Sequence, residues 1–166
     1  GRRTLWQLGY EAVTGTVVWN QRQADLRPGP DPGTLPLAWS RDLRGGTFDP
    51  EDRSEGREPV PRGLRPGFVR SERRMSGPAL LVNRVVGTVG RGELRTALVP
   101  DGMEFLAENH VNVVRPRADS VAGGMPRFGW TQLQQAIEAP GTGDRARLLT
   151  GNTQLSATEL THLLPV

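Results

Sequence analysis

The chain of 166 residues contains no cysteine and no lysine. Without cysteine it can form no disulfide bond, no thiolate zinc site and no cysteine nucleophile. Without lysine it can carry neither a Walker A phosphate loop, which ends in Gly-Lys-Ser or Gly-Lys-Thr, nor a Schiff-base lysine. These absences exclude several large classes of enzyme and fit a protein of the reducing cytoplasm.

Histidines and long apolar runs are also scarce. His110 and His162 are the only histidines, so a three-histidine metal site is excluded, and no H-E-x-x-H or G-x-S-x-G sequence occurs. No apolar run approaches the length of about 18 residues that spans a membrane, and the basic start "GRRTLWQLGYEAV" lacks the apolar region of a signal peptide. The sequence therefore predicts a cytoplasmic protein without a membrane partner, a metal site or a catalytic centre of its own.

The basic residues are all arginines, 21 of them against 18 acidic residues, and the formal charge is only +3. The sequence pI near 10.8 overstates this charge, because a chain with no lysine, no cysteine and one tyrosine has little that titrates between about pH 7 and 11. Arginine is nevertheless the side chain best shaped to bind guanine and phosphate. The composition allows a nucleic-acid partner without requiring one.

Short β-branched and aromatic runs predict strands in the first two-thirds of the chain. Strands are expected in "GTVVWN" from Gly15, in Thr34–Ser40 and in Gly67–Ser71, and "QRQADLR" is a loop or one helical turn. The stretch "PALLVNRVVGTVGRGELRTALVP" predicts two strands joined by a glycine-rich turn near residues 87–92, and "GMEFLAENHVNVVRP" predicts one further strand. Residues 41–66, rich in Gly, Pro and Arg, are expected to form a flexible loop.

Helices are expected near the C-terminus. "TQLQQAIEA" places Leu133 and Ile137 four residues apart behind a Thr131 cap, and a short helix around "DRARLL" follows. In "SATELTHLL", Ser156 and Glu159 have capping-box spacing, and the apolar face comprises Leu160, Leu163 and Leu164. Strands followed by helices indicate an α+β domain with a mixed or antiparallel β-sheet, long Gly/Pro/Arg-rich loops and short C-terminal helices.

Polar side chains cluster beside the predicted strands in four places, at "WNQR", "NR", "NHVN" and "NTQ". Asparagine and glutamine can form two hydrogen bonds to one adenine, and arginine can form two to one guanine. The candidate DNA-binding residues are Trp19, Asn20, Gln21, Arg22, Asn83, Arg84, His110, Asn112, Arg115, Asn152 and Gln154. A structural role stays open for each, since an asparagine at a strand end often satisfies backbone groups and Trp19 can belong to the core.

Five segments, "GTVVWNQ", "PLAW", "ALLVNR", "AENHVNVVRP" and "LLTGNTQLSATELTHLLPV", occur in a recognisable order. They resemble the C-terminal target-recognition part of adenine-N6 DNA methyltransferases from restriction–modification systems, the TaqI-like group and especially its PstI/BsuBI-like branch. The resemblance covers Thr14–Val166 and matches poorly from Arg44 to Arg65. The Asn-Pro-Pro-Tyr motif and the S-adenosylmethionine loop of the family's catalytic half have no counterpart here.

The resemblance implies that residues 1–166 form a single target-recognition domain without the catalytic methyltransferase domain. The partners are then double-stranded DNA and a catalytic methyltransferase domain or subunit, and S-adenosylmethionine is the cofactor of that catalytic domain, with none bound by this chain. The domain would position DNA while the catalytic domain flips the target adenine out of the stack and methylates it. Arginines such as Arg22, Arg84 and Arg115 would neutralise phosphates, and base-reading residues can lie in the variable loop between Arg41 and Arg74.

In "ENHVNVVRP", strand alternation predicts Asn109, Val111 and Val113 on one face and His110, Asn112 and Val114 on the other. Val111 and Val113 would anchor the strand, while His110 and Asn112 would lie near the DNA or hold a neighbouring loop. Two other functions remain open. One is a protein-interaction or scaffold domain in a defence complex, and the other is a small enzyme that uses His110 as a general base.

Overall fold

Every residue of the strand Ala79–Asn83 is buried, because both faces of its sheet are covered. The computed structural model describes residues 2–51, 66–84, 93–123, 128–151 and 154–166. Its strands are β1 Tyr10–Thr14, β2 Leu26–Arg27, β3 Thr34–Ala38, β4 Phe68–Arg70, β5 Met75–Ser76, β6 Ala79–Asn83, β7 Thr96–Val99, β8 Glu104–Ala107 and β9 Val111–Pro116. Its helices are α1 Ala118–Gly123, α2 Trp130–Glu138, α3 Thr142–Thr150 and α4 Ala157–His162.

The strands form two sheets. The first sheet has the order β1-β9-β6-β7, and all of its pairs are antiparallel. The second has the order β2-β4-β3-β8-β5 and contains one parallel pair, β3 with β8, in which Leu37 faces Leu106. The predicted α+β class, with mixed and antiparallel sheets and short helices, is confirmed.

Side-chain alternation along the strands divides the interior into three cores. The helix-side core lies between the first sheet and the helices and includes Leu80, Val82, Val114, Leu133, Ile137 and Leu160. The inter-sheet core lies between the two sheets and includes Leu43, Phe48, Leu81, Phe105, Ala107, Val111 and Val113. The outer core covers the far face of the second sheet and includes Val17, Leu35, Leu37, Trp39, Val69 and Leu106. The helices and the second sheet therefore lie on opposite sides of the first sheet.

Several predicted elements are present. Strands form within Thr34–Ser40 and Gly67–Ser71, a 3₁₀ turn forms at Gln23–Asp25, and β6 and β7 form the predicted antiparallel pair. Their turn at residues 87–92 lies outside the described residues. Leu133 and Ile137 are buried on α2, and the Ser156 side chain accepts a hydrogen bond from the Glu159 amide in the predicted capping box.

The strand predicted at "GTVVWN" is displaced. The strand β1 precedes Gly15, while Trp19–Gln21 form a 3₁₀ turn and only Val17 makes a bridge, parallel to Glu108. Gly15 lies so close to the chain after β8 that an added Cβ would be 2.1 Å from the Glu108 carbonyl oxygen. The β-branched pair after this glycine reflects burial of Val17 in the outer core rather than continued strand pairing.

The single strand predicted at "GMEFLAENHVNVVRP" is two strands in different sheets. The chain leaves β8 at Ala107, turns through Glu108–His110, and enters β9 at Val111. Asn109 and His110 are therefore turn residues, and the predicted alternation of faces begins only at Val111. Val111 and Val113 do anchor the strand, in the inter-sheet core.

Three helix details also differ from the prediction. The N-cap of α2 is Gly129, whose amide donates to Gln132 Oε1, instead of Thr131. Leu163 is 53% exposed, because α4 ends at His162 and only Leu160 and Leu164 reach the core. The helix α1 was not predicted.

In the segment 41–66, Leu43 and Phe48 are buried in the inter-sheet core, and residues 52–65 lie outside the described residues.

Candidate nucleic-acid interface

The turn Glu108–His110, which we call the His110 turn, is held by its own carboxylate. Glu108 is 1% exposed, and its Oε2 accepts a 2.9 Å hydrogen bond from the His110 amide. Its Oε1 lies 2.8 Å from His110 Nδ1. Because a carboxylate oxygen accepts, this contact commits Nδ1 to donation and leaves Nε2 as the ring nitrogen for a ligand. The His110 side chain is 42% exposed, so the imidazole is oriented and accessible.

Two of the four polar clusters, "NR" and "NHVN", meet at this turn, and Leu155, which follows the "NTQ" cluster, is hydrogen-bonded to both. The Arg84 amide donates to the His110 carbonyl at 2.9 Å, and Arg84 Nη1 approaches the Asn109 carbonyl at 3.4 Å. The Leu155 amide donates to the Arg84 carbonyl, and Asn112 Nδ2 donates to the Leu155 carbonyl at 3.0 Å. These hydrogen bonds join the segments around Arg84, His110 and Leu155 into one edge of the fold, although each is more than 20 residues from the next in the sequence.

The segment "GTVVWN", which leads into the "WNQR" cluster, approaches the same turn through its backbone. The Val17 amide donates to the Ala107 carbonyl at 3.1 Å, and the Val17 carbonyl accepts from the Asn109 amide at 2.9 Å. The Gly15 amide donates to the Val111 carbonyl at 2.8 Å. The close approach at Gly15 accounts for the glycine of "GTVVWN", since any side chain there would displace the turn.

The two buried asparagines among the candidate residues hold the scaffold. Asn83 is 1% exposed, its Oδ1 accepts from the Arg95 amide at 2.8 Å, and its Nδ2 donates to the Glu93 carbonyl. Asn112 is fully buried and binds the Leu155 carbonyl. Neither side chain reaches the surface, so the structure gives both a packing role and does not support direct contact with DNA.

The remaining candidates are divided between several places. Asn20, Gln21 and Gln154 are exposed, and Trp19 is half-buried against the outer core. Arg115 Nε binds Glu11 Oε1 at 3.2 Å. It lies near the far end of β9, about 17 Å along the strand from His110. Asn152 lies outside the described residues.

A cleft lined by arginines opens at the second sheet, and we call it the arginine cleft. It has a volume of about 810 Å³ and is lined by Arg22, Pro32, Gly33, Arg70, Ser71, Glu72, Arg73 and Arg74. Arg70, Arg73 and Arg74 were not among the candidate residues. Their signal was present in "RSERR", within the variable loop where base-reading residues were expected, but its placement beside Arg22 depends on the fold.

The four arginines of the cleft differ in their contacts. Arg22 Nε binds Asp25 Oδ2 at 2.8 Å and its Nη2 donates to the Arg70 carbonyl at 2.8 Å, while Arg74 Nη1 binds Glu104 Oε2 at 2.7 Å. The guanidinium groups of Arg70 and Arg73 are exposed and have no ion pair or hydrogen bond among the described residues. These two side chains are therefore available to an external anion.

Within the described ranges, no three or more His, Asp and Glu side chains are grouped so that they could hold a metal ion. None of the helices in those ranges has the length and apolar composition of a membrane span. The second histidine, His162, is exposed at the last residue of α4, where its ring contacts the Trp6 ring at a tilt of 37° with centroids 4.9 Å apart. Comparison with protein-family models and with curated proteins gives no match for this chain.

Proposed function

We propose that this chain is a sequence-specific DNA recognition module of an adenine-N6 DNA methyltransferase, with a target-recognition-domain-like fold. Its role would be to position DNA for base flipping and methylation by a separate catalytic domain that binds S-adenosylmethionine. The observation that carries this proposal is the meeting of the motif segments at the His110 turn. Segments separated in sequence share one edge there, and the edge presents an oriented, accessible imidazole.

The proposed mechanism gives the residues different tasks. Glu108 and Arg84 hold the turn in shape, and His110 offers Nε2 to a base edge or a phosphate. The exposed amides of Asn20 and Gln21 are free to bond base edges, adenine above all. An isolated module of this kind binds DNA weakly, in the nonspecific range of roughly 10⁻⁴ to 10⁻⁶ M, until the catalytic domain encloses the duplex.

The test is selection of the chain on a pool of randomised DNA duplexes at low and moderate salt. Enrichment of a short sequence is the expected result, and the affinity should fall steeply as salt rises. No binding at low salt would refute a DNA-recognition role. Methyl transfer by the chain alone would contradict the assignment of catalysis to a separate domain.

The chain offers a matched pair of variants, because it contains two histidines and both are accessible. His110→Ala should weaken binding to the selected sequence roughly tenfold, in the range of about 1–3 kcal/mol expected for a base contact. His162→Ala, on the helix side of the first sheet, should leave binding unchanged. Equal effects of the two substitutions would show that the His110 turn is not part of the interface.

A protein-interaction module is the second candidate, and exposed leucines on the helix side favour it. Leu148 is 84% exposed, Leu149 43% and Leu163 53%. Leu148 and Leu149 are neighbours on α3, and exposed apolar side chains that lie together are common at contacts between subunits. The same surface can also bind a catalytic methyltransferase subunit. DNA binding therefore distinguishes the two candidate functions, because a pure interaction module shows neither a DNA sequence preference nor a steep salt dependence.

A further inference from the structure

We propose that the arginine cleft is a phosphate-binding site that grips the backbone of duplex DNA through Arg70 and Arg73. This inference rests on the proposed DNA-recognition function and adds a contact surface that the sequence motifs do not include. The site is separate from the His110 turn, because its lining comes from Arg22, the loop before β3, the end of β4 and the loop before β5.

The backbone that carries the two arginines is held from both sides. The Ser71 amide donates to the Gly33 carbonyl at 3.3 Å, and the Arg73 amide donates to Ser71 Oγ at 3.1 Å. Arg22 fixes the same loop by donating to the Arg70 carbonyl while it binds Asp25. The backbone of the loop is thus ordered before any ligand arrives, so the conformational entropy lost on binding an anion is confined to the Arg70 and Arg73 side chains.

The charge of the lining fits an extended anion. Four arginines and one glutamate, Glu72, line the cleft. Asp25 and Glu104 offset the charges of Arg22 and Arg74, so Arg70 and Arg73 supply the positive charge that is available to an anion. The guanidinium fork matches the geometry of phosphate oxygens and can bind two of them at once. The cleft is open and has few apolar side chains, so a small molecule would bury little surface in it, whereas a phosphodiester backbone can pass across it.

The helix side of the molecule contains an acidic cleft. A cleft between α2 and α3 of about 450 Å³ is lined by Glu93, Glu138 and Asp144 and by no basic residue. It belongs to the helix layer, and the first sheet separates that layer from the second sheet. A duplex is attracted to the arginine cleft and repelled by the acidic one, so of these two clefts the arginine cleft is the one suited to DNA.

The chain itself connects the arginine cleft with the His110 turn. Val17 is hydrogen-bonded to the turn, and five residues later Arg22 lines the cleft. Asn20 and Gln21, which lie between them, are exposed. A phosphate backbone held at the cleft would bring a groove of the duplex towards these amides, so the cleft sets the register in which bases are read.

The test compares two double variants of the whole chain, each of which removes two positive charges. Arg70→Gln with Arg73→Gln alters the cleft. Arg2→Gln with Arg3→Gln is the matched control, because both arginines are exposed and the Arg3 amide is hydrogen-bonded to Val166, far from the cleft. Binding of a fluorescent random duplex is titrated over a series of salt concentrations, and thermal melting establishes that each variant is folded. Polyglutamate, a polyanion without phosphates, is titrated in parallel.

The affinity constant K falls as salt rises, and each lost phosphate contact makes the slope of log K against log salt less steep by about 0.9. At about 0.1 M salt it lowers the affinity by about tenfold. The cleft variant should therefore lose about two units of slope, on every duplex sequence alike, while the control keeps the slope of the unaltered chain. An unchanged slope in the cleft variant, or an equal loss in the control, would overturn the cleft proposal and leave DNA recognition intact. Loss of polyglutamate binding alone would also overturn it, in favour of an acidic protein partner. Absence of any DNA binding by the unaltered chain would overturn the proposed function together with the cleft.

Discussion

Replacing Asn112 with alanine distinguishes a scaffold role from a DNA-contacting role for this residue. The side chain is fully buried, and its Nδ2 donates to the Leu155 carbonyl at 3.0 Å. This bond connects β9 to the segment that precedes α4, and the Leu155 amide in turn binds Arg84. Asn112 therefore holds together two segments that form the candidate interface, without reaching the surface itself.

The expected cost follows from the groups that the substitution leaves behind. The Leu155 carbonyl loses its partner in a buried position, which costs about 1–3 kcal/mol. Asn112 Oδ1 is buried without a hydrogen-bond partner among the described residues, so its removal returns part of that cost. We expect a net loss of about 1–2 kcal/mol in the free energy of unfolding. For a chain of this length, that corresponds to a decrease in Tm of roughly 2–8 °C.

Urea unfolding of Asn112→Ala measures the loss, and Asn20→Ala is the control at an exposed asparagine, where the change should stay within about 0.5 kcal/mol. DNA affinity is measured well below the Tm of each variant. Asn112→Ala should lose stability and keep its DNA affinity. A variant that unfolds at the urea concentration of the unaltered chain but no longer binds DNA would refute the scaffold assignment and return Asn112 to the interface.

Two further substitutions test the structure at Tyr10 and Gly15. Tyr10 is buried and donates a hydrogen bond to the Phe128 carbonyl, and burial raises the pKa of its phenol above 10.0. Folding therefore favours the protonated phenol, so stability is unaffected below about pH 10 and falls, by up to about 1.4 kcal/mol per pH unit, as the pH rises from there to the raised pKa of the folded chain. As this is the only tyrosine in a chain without lysine or cysteine, tyrosinate absorbance and alkaline unfolding of Tyr10→Phe check it directly, and an unshifted phenol titration would contradict the buried position. Gly15→Ala places its Cβ 2.1 Å from the Glu108 carbonyl oxygen and should cost about 1–3 kcal/mol or more and loosen the His110 turn. Gly29→Ala, which meets no atom within 4 Å, should be neutral or slightly stabilising in the same unfolding assay, and equal effects of the two substitutions would rule out the close approach at Gly15.

Some site residues could be identified from the sequence, and others could not. His110 and Arg84 belong to short polar motifs beside strands, and the structure brings both to one edge. Glu108, which orients His110, escaped prediction because a glutamate next to a strand is ordinarily solvent-exposed. Arg70 and Arg73 escaped because an arginine-rich loop gives no indication of the residues that it will face.

Local physical chemistry, which the sequence alone expresses, determined the α+β class, the buried face of α2 and the capping box of α4. Ser156 and Glu159 cap a helix through contacts within four residues, and Leu133 and Ile137 share a face through the helical period, so neither depends on the rest of the fold. Tertiary structure alone decided that β8 and β9 belong to different sheets, that Asn112 is buried, and that Arg22 meets Arg70. Each of these depends on contacts between distant segments, above all the close backbone approach of Gly15 to Glu108, and no pattern within a single segment records which distant backbone it will touch.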